Sequence, residues 1–228
     1  MLLFLGVSSL NLGRVRTAHF FLPPVENSLD EEAIDIRERQ TVYRGYFRID
    51  HFRVRHRLYA GGWSPELSRE VFLRHNAAAI LLYDPQRDLL VFIEQFRLAA
   101  HLAGFPPWQL EVVAGIIDKD EPAAAVARRE SKEEAGLSVI GEVVPIHRFL
   151  PSPGGSIETV DLFCGRVDAG DAGGIHGLAD ESEDIKVVVK SADDALAMLA
   201  AGEIQNAFTL IALHWFAANR DAIRRRWG

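Results

Sequence analysis

The chain has 228 residues, 48% of them hydrophobic, with a formal net charge of −7 at neutral pH. That is enough for one large domain, or one plus a small appendage, with a core that needs no metal or disulfide staple. The single Cys164 excludes an internal disulfide and fits a reducing, cytoplasmic setting, the acidic balance argues against nucleic acid as a partner, and no apolar run is long enough for a membrane.

Residues 1–40 carry little periodicity and are expected to be a partly irregular N-terminal extension. The opening MLLFLGVSSL is apolar, but no basic residue precedes it, so the basic n-region of a signal peptide is missing. PPVENSLDEEAIDI reads as a loop entering a first strand near Ile34. Residues 41–75 are expected to form a small β-rich unit. Phe47 alternates with Ile49 and Phe52 with Val54, and the change of parity near His51 predicts a bulge. Gly61-Gly62 reads as a turn and Glu70–Leu73 as a further strand.

The main domain is expected over residues 76–228. Ala77–Tyr83 and Leu89–Glu94 are near-continuous apolar strands split by the Asp84-Pro85 turn signal. Trp108–Ala114 leads into an acidic helical segment, and Val139–Phe149 and Thr159–Val167 are strands beyond it. Cys164, in DLFCGRV, reads as a buried strand thiol. A Gly- and Asp-rich loop over residues 168–184 precedes the strand Ile185–Val189. Ser191 is a candidate N-cap for a helix stopping near Gly202, and a last helix covers about Ala207–Arg225. The pattern is α+β: a mixed β-sheet flanked by helices. The eight histidines are scattered and form no metal-ligand spacing.

The most informative stretch is GIIDKDEPAAAVARRESKEEAGL, residues 115–137. Pro122 suits the first turn of a helix and Gly136 suits its end, predicting a helix over about 122–135. At roughly 100° per residue, Glu130, Glu133 and Glu134 share one face. Three clustered carboxylates repel one another, and a hard divalent cation with a preference for oxygen would relieve that repulsion.

This stretch resembles the Nudix box, G-x5-E-x7-R-E-U-x-E-E-x-G-U with U aliphatic, and every fixed position is filled; Ser131 replaces the first aliphatic residue, on the side of Ala124 and Ala135. The resemblance implies a Nudix fold and hydrolysis of a nucleoside diphosphate linked to another group. It implies Mg²⁺, with Mn²⁺ as an alternative, held by Glu130, Glu134 and the Ala114 carbonyl, with Glu133 a further ligand. Glu121 and Arg129 would brace the loop against the helix. Arg97, in IEQFRLAAH, could fork onto a phosphate.

Two further stretches point to the ADP-ribose pyrophosphatase branch of that family. PSPGGSIE places Pro153 sixteen residues beyond the box, in a stiff turn whose backbone can approach a ribose. GIHGLADESEDI, residues 174–185, resembles the loop carrying that branch's catalytic base. The matching residue is Glu181, with Glu183 a nearby metal ligand. The branch further implies a homodimer with shared active sites. Tyr46 and Phe47 would sandwich an adenine, Arg69, Glu70 and Arg74 would reach substrate from the neighbouring subunit, and Ile116, Ser152, Pro153, Gly154 and Glu158 would line its pocket. ADP-glucose and GDP-mannose are alternative substrates, and a non-cleaving nucleotide sensor is the alternative of another class.

Overall fold

A computed structural model describes residues 33–117, 121–178 and 183–228. Ile34–Arg44 (β1), Arg48–His56 (β2) and Leu67–Leu73 (β3) form a three-stranded antiparallel sheet in that order. Its first strand begins at Ile34, as read from the sequence, and runs on through Arg37, Glu38 and Arg39 although these residues are polar. The expected bulge is displaced. β2 pairs with β3 without a shift through His51, and the register shifts lie along β1, between Ile36 and Glu38 and between Thr41 and Tyr43. The broken parity in β2 reflects Asp50, which is buried and accepts hydrogen bonds from Arg39 Nε (2.6 Å) and Thr41 Oγ1 (2.9 Å). A satisfied carboxylate therefore occupies a position where an apolar residue would have kept the pattern.

The second sheet is mixed and has eight strands: Asn76–Asp84 (β4), Leu89–Phe96 (β5), Trp108–Glu111 (β6), Val113–Ile117 (β7), Ile140–Phe149 (β8), Val160–Arg166 (β9), Ile175–His176 (β10) and Ile185–Ser191 (β11). The order is β10-β11-β5-β4-β9-β8, with β6 beside β5 and β7 beside β4. β4 runs parallel to β9 and antiparallel to β5 and β7. Both its faces are covered, which is why it reads as an unbroken apolar run. Ala77, Ala79, Leu81 and Tyr83 face one core, which includes Leu213 and Phe216 of Ala207–Trp227 (α4) and Ala195 of Ala192–Ala200 (α3). Ala78, Ile80 and Leu82 face the other, with Val126, Ala127 and Ala135 of Ala123–Ala135 (α2). The result is a helix–sheet–helix sandwich of α+β character with the acidic helix packed on one side.

Local chemistry sets the helix ends. Ser191 accepts from Asp194 N–H (3.0 Å) and caps α3; Asn206 accepts from Thr209 N–H (3.1 Å) and caps α4. One helix, Leu98–Leu102 (α1), is too short to show periodicity and was not expected. Cys164 is fully buried in β9, and burial pushes its thiol well above the usual range. Among the described residues no helix is long and apolar enough to cross a membrane.

The two sheets meet at a specific joint. Phe72 N–H donates to Gly155 O (2.7 Å), Ile157 N–H donates to Phe72 O (3.3 Å), and Arg74 pairs with Glu158 at 3.3 Å. The end of β3 is thereby stitched to the turn after β8.

Candidate active site

Helix α2 is held in place from both ends. Pro122 occupies the N-cap, and Gly136, at φ 69°, occupies the left-handed position that ends the helix. Gly136 N–H bonds to Lys132 O and Leu137 N–H to Ser131 O, both at 3.1 Å. The buried Ser131 hydroxyl donates to Leu137 O at 3.0 Å, so the departure from an aliphatic residue adds a bond at the helix end.

That placement lays the glutamates against β7. Glu134 is buried and accepts from Ala114 N–H at 3.1 Å. Glu130 lies across Gly115 so closely that a Cβ there would come 1.9 Å from its Oε1, 2.1 Å from its Cδ and 2.3 Å from its Cγ. Only glycine leaves room for the carboxylate. Arg129 binds Glu130 (2.8 Å) and Glu133 (2.7 Å) and reaches Glu121 at 3.8 Å, so the expected brace is present and also holds two of the clustered glutamates.

Burial pushes the Glu134 carboxyl up from its ordinary 4.5 to about 8; the Ala114 N–H and Arg97 oppose the shift, and the Glu130 and Glu183 charges add to it. Burial also raises Glu130, with Glu133 and Glu183 adding and Arg129 opposing. Among the described residues no three acidic, histidine or cysteine side chains converge as a ready cation cage. The donor chemistry nonetheless fits a hard divalent cation: oxygen donors only, clustered carboxyls whose charge is disfavoured, and a cradle that a Cβ would fill.

Arg97 stands at the start of α1, its N–H bonded to Pro107 O at 2.7 Å. Its guanidinium forks onto Glu111, with Nη2 to Oε2 at 2.7 Å and Nε to both oxygens at 3.2 Å. Burial disfavours its charge, but Glu111, then Glu134 and Glu183, hold its pKa above the ordinary arginine value. Sequence reasoning missed Glu111. Its only local signal is an acidic residue in an apolar strand three positions before Ala114.

A cavity of about 460 Å³ opens between the two sheets. Its lining includes Tyr46, Phe47, Arg74 and Ile116, four residues expected from sequence, and Arg44, Arg48, His75 and Ile157, which were not. Ile116 follows Gly115 directly on β7, and the alternation of the strand turns its side chain to the face opposite Gly115 and the α2 glutamates. The expected sandwich between Tyr46 and Phe47 is not formed within the chain. Their rings meet edge to face, 4.8 Å apart at 80°, which leaves no slot for a base between them. Phe47 is held in turn by Phe72 at 4.8 Å, whereas Tyr46 is 87% exposed.

Glu158 is buried beside Arg74, and burial raises its pKa against the pull of that arginine. Ser152 O closes the Ser-Pro-Gly-Gly turn by accepting from Gly155 N–H (3.2 Å) and Ser156 N–H (2.9 Å). Ser152, Pro153 and Gly154 are exposed and do not line the cavity; neither do Arg69 and Glu70, which are exposed on β3.

Glu181 lies outside the described residues. One flank of its segment is tied to α2, and the two flanks are tied to each other. Gly177 N–H donates to Glu133 O (3.4 Å), Glu183 N–H donates to Leu178 O (3.2 Å), and Glu183 Oε2 accepts from Leu178 N–H (3.1 Å).

The sequence model of the NUDIX domain matches residues 73–202. The chain is 47% identical over 194 residues to the ADP-ribose pyrophosphatase of Escherichia coli K12, covering 85% of this chain and 92% of that protein. It is 39% identical over 202 residues to the ADP-ribose pyrophosphatase of Haemophilus influenzae, covering 86% and 92%. It is also 40% identical over 154 residues to a GDP-mannose pyrophosphatase of Citrobacter koseri, covering 64% and 76%.

Proposed function

This chain belongs to the NUDIX family, and we propose that it hydrolyses the pyrophosphate bond of ADP-ribose to AMP and ribose 5-phosphate. The observation that carries the reading is the set of carboxylates that α2 lays against β7, Glu134 on the Ala114 N–H and Glu130 across Gly115. Oxygen donors of this kind suit a cation that binds a pyrophosphate, and Ile116 of the same strand lines the aromatic- and arginine-lined cavity, which suits a nucleoside. The similarity to ADP-ribose pyrophosphatases over most of both chains supports the choice of sugar.

In this reading Glu130, Glu134 and the Ala114 carbonyl hold the cation, with Glu133 and Glu183 as further ligands, and the ion is Mg²⁺ (Mn²⁺ as the alternative). When bound, the cation neutralises pyrophosphate oxygens and eases deprotonation of the attacking water. The chain's own groups do the rest. Arg97 presents the free edge of its fork to a phosphate, Glu181 takes the proton of the water that attacks phosphorus, and the leaving phosphate departs as a monoester. Positioning and electrostatics supply the barrier reduction, since no covalent enzyme intermediate is needed.

Tyr46, Phe47, Arg74, Ile116 and Glu158 would receive the adenosine and ribose, with Ser152, Pro153 and Gly154 closing over the sugar. Arg69 and Glu70, exposed on β3, would serve the partner's site in a homodimer. The domain division is proposed at residues 75/76, with the sheet of β1–β3 as the dimerisation unit, and the lone buried thiol supports a cytoplasmic enzyme.

The test is turnover with Mg²⁺ on ADP-ribose, ADP-glucose, GDP-mannose, NADH and diadenosine polyphosphates. The reading expects the highest kcat/KM for ADP-ribose. A maximum on another nucleotide sugar would discard the substrate and keep the chemistry. Tight binding without turnover on any would replace it with a sensor.

A further inference from the structure

We propose that Glu111 is a positioning residue for this reaction, which fixes the Arg97 guanidinium in front of the α2 glutamates by linking it to the start of α4. The inference rests on the reading of Arg97 as a phosphate contact. Glu111 is 6% exposed and both its oxygens are occupied. Oε2 takes Arg97 Nη2 at 2.7 Å, and Oε1 takes Asn206 Nδ2 at 3.1 Å. Asn206 is itself immobilised, because its Oδ1 caps α4. Engaging Nε and Nη2 uses one edge of the planar fork and turns the opposite edge away from Glu111. Arg97 then lies within electrostatic reach of Glu134 and Glu183.

The strand geometry explains why the link is built here. Glu111 is the last residue of β6, paired with Ile93 of β5, whereas Val113 begins β7 and pairs with Ile80 of β4. At this change of partner Val112 N–H leaves the ladder and bonds to Thr209 Oγ1 at 3.0 Å, a fully buried contact to the first turn of α4. One helix end therefore sets the break that aims Ala114 and, three residues earlier, the carboxylate that aims Arg97. Stability alone does not call for this arrangement. A well-packed apolar pair in the same volume is often as stable as a buried ion pair, because removing charges from water is costly.

The experiment compares wild type, Glu111→Gln, Arg97→Ala and the double variant by ADP-ribose turnover and thermal unfolding, and follows the Arg97 Nε–H resonance in ¹⁵N-labelled protein, assigned by its loss in Arg97→Lys. Glutamine keeps the length but only one acceptor oxygen. The expected result is a shifted or vanished Arg97 signal in Glu111→Gln and a fall in kcat/KM of about tenfold or more. In the Arg97→Ala background the same substitution should cost less than about twofold. An unchanged Arg97 signal, or an equal loss in both backgrounds, overturns the proposal. If Glu111→Gln does not fold, Asn206→Ala serves on the same resonance, which must move. A wild type that fails to cleave ADP-ribose sinks the substrate reading and leaves the resonance to decide the role of Glu111.

Discussion

Replacing Gly115 by alanine tests the cradle under Glu130. The added Cβ would lie 1.9 Å from Glu130 Oε1, while ordinary contact begins at 3.4 Å, so that oxygen must retreat by about 1.5 Å. A small rotation of the carboxylate is not enough, because Cδ and Cγ are also within 2.3 Å and the whole side chain must change rotamer. Displacing a reacting group by roughly 1 Å costs about a hundredfold in rate, and that loss in kcat/KM is the expected magnitude. The Mg²⁺ concentration giving half-maximal rate should rise as well. The backbone should tolerate the change, since Gly115 is not among the positive-φ glycines, so the variant should still fold. The assay is ADP-ribose turnover against a Mg²⁺ titration, with a thermal melt as the folding control. Activity within about threefold of wild type and an unchanged Mg²⁺ dependence would refute the argument.

Three other perturbations have definite outcomes. Glu181→Gln should lower kcat by about 10²–10⁴-fold while substrate affinity is kept, and a near-normal rate would place the base elsewhere. Glu134, whose folded value of about 8 lies above its ordinary 4.5, favours folding while protonated. The stability it contributes is full below about 4.5 and is lost as pH rises through about 8, so the metal-free protein should melt progressively lower across that window. Glu134→Gln should flatten the profile and weaken Mg²⁺ binding; an identical pH profile in the variant would contradict the assignment. Thr209→Val keeps the shape but leaves Val112 N–H buried without its partner, at about 1–3 kcal/mol. Tm should fall by roughly 2–12 °C, and an unmoved Tm would show that the break between β6 and β7 is satisfied another way.

The parts of the fold that were legible in the sequence are those governed by local chemistry. Pro122 and Gly136 bound α2 as read, Asp84-Pro85 separates β4 from β5, and Ser191 caps α3. The buried central strands announced themselves as apolar runs. What escaped depended on contacts distant in the chain or on exceptions to pattern. β1 was legible at its start, Ile34, but it is a largely exposed strand of charged residues, so alternation could not reveal its course to Arg44. The parity change in β2 came from a buried carboxylate, Asp50, and not from a bulge at His51. Glu111 gains its meaning from Arg97 fourteen residues away and Asn206 ninety-five away, a relation no local window contains. Tyr46 and Phe47 line the cavity, yet adjacency in sequence says nothing about ring angle, and theirs is edge to face.

The central claim is that water attacks phosphorus in the pyrophosphate of ADP-ribose. Phosphorus-31 NMR of ADP-ribose turned over in ¹⁸O-labelled water with Mg²⁺ tests it most directly. The account predicts two phosphomonoesters, AMP and ribose 5-phosphate, with one ¹⁸O on the phosphate of one of them. Label in the ribose carbon framework, products such as ADP and free ribose, or no consumption of ADP-ribose would contradict it.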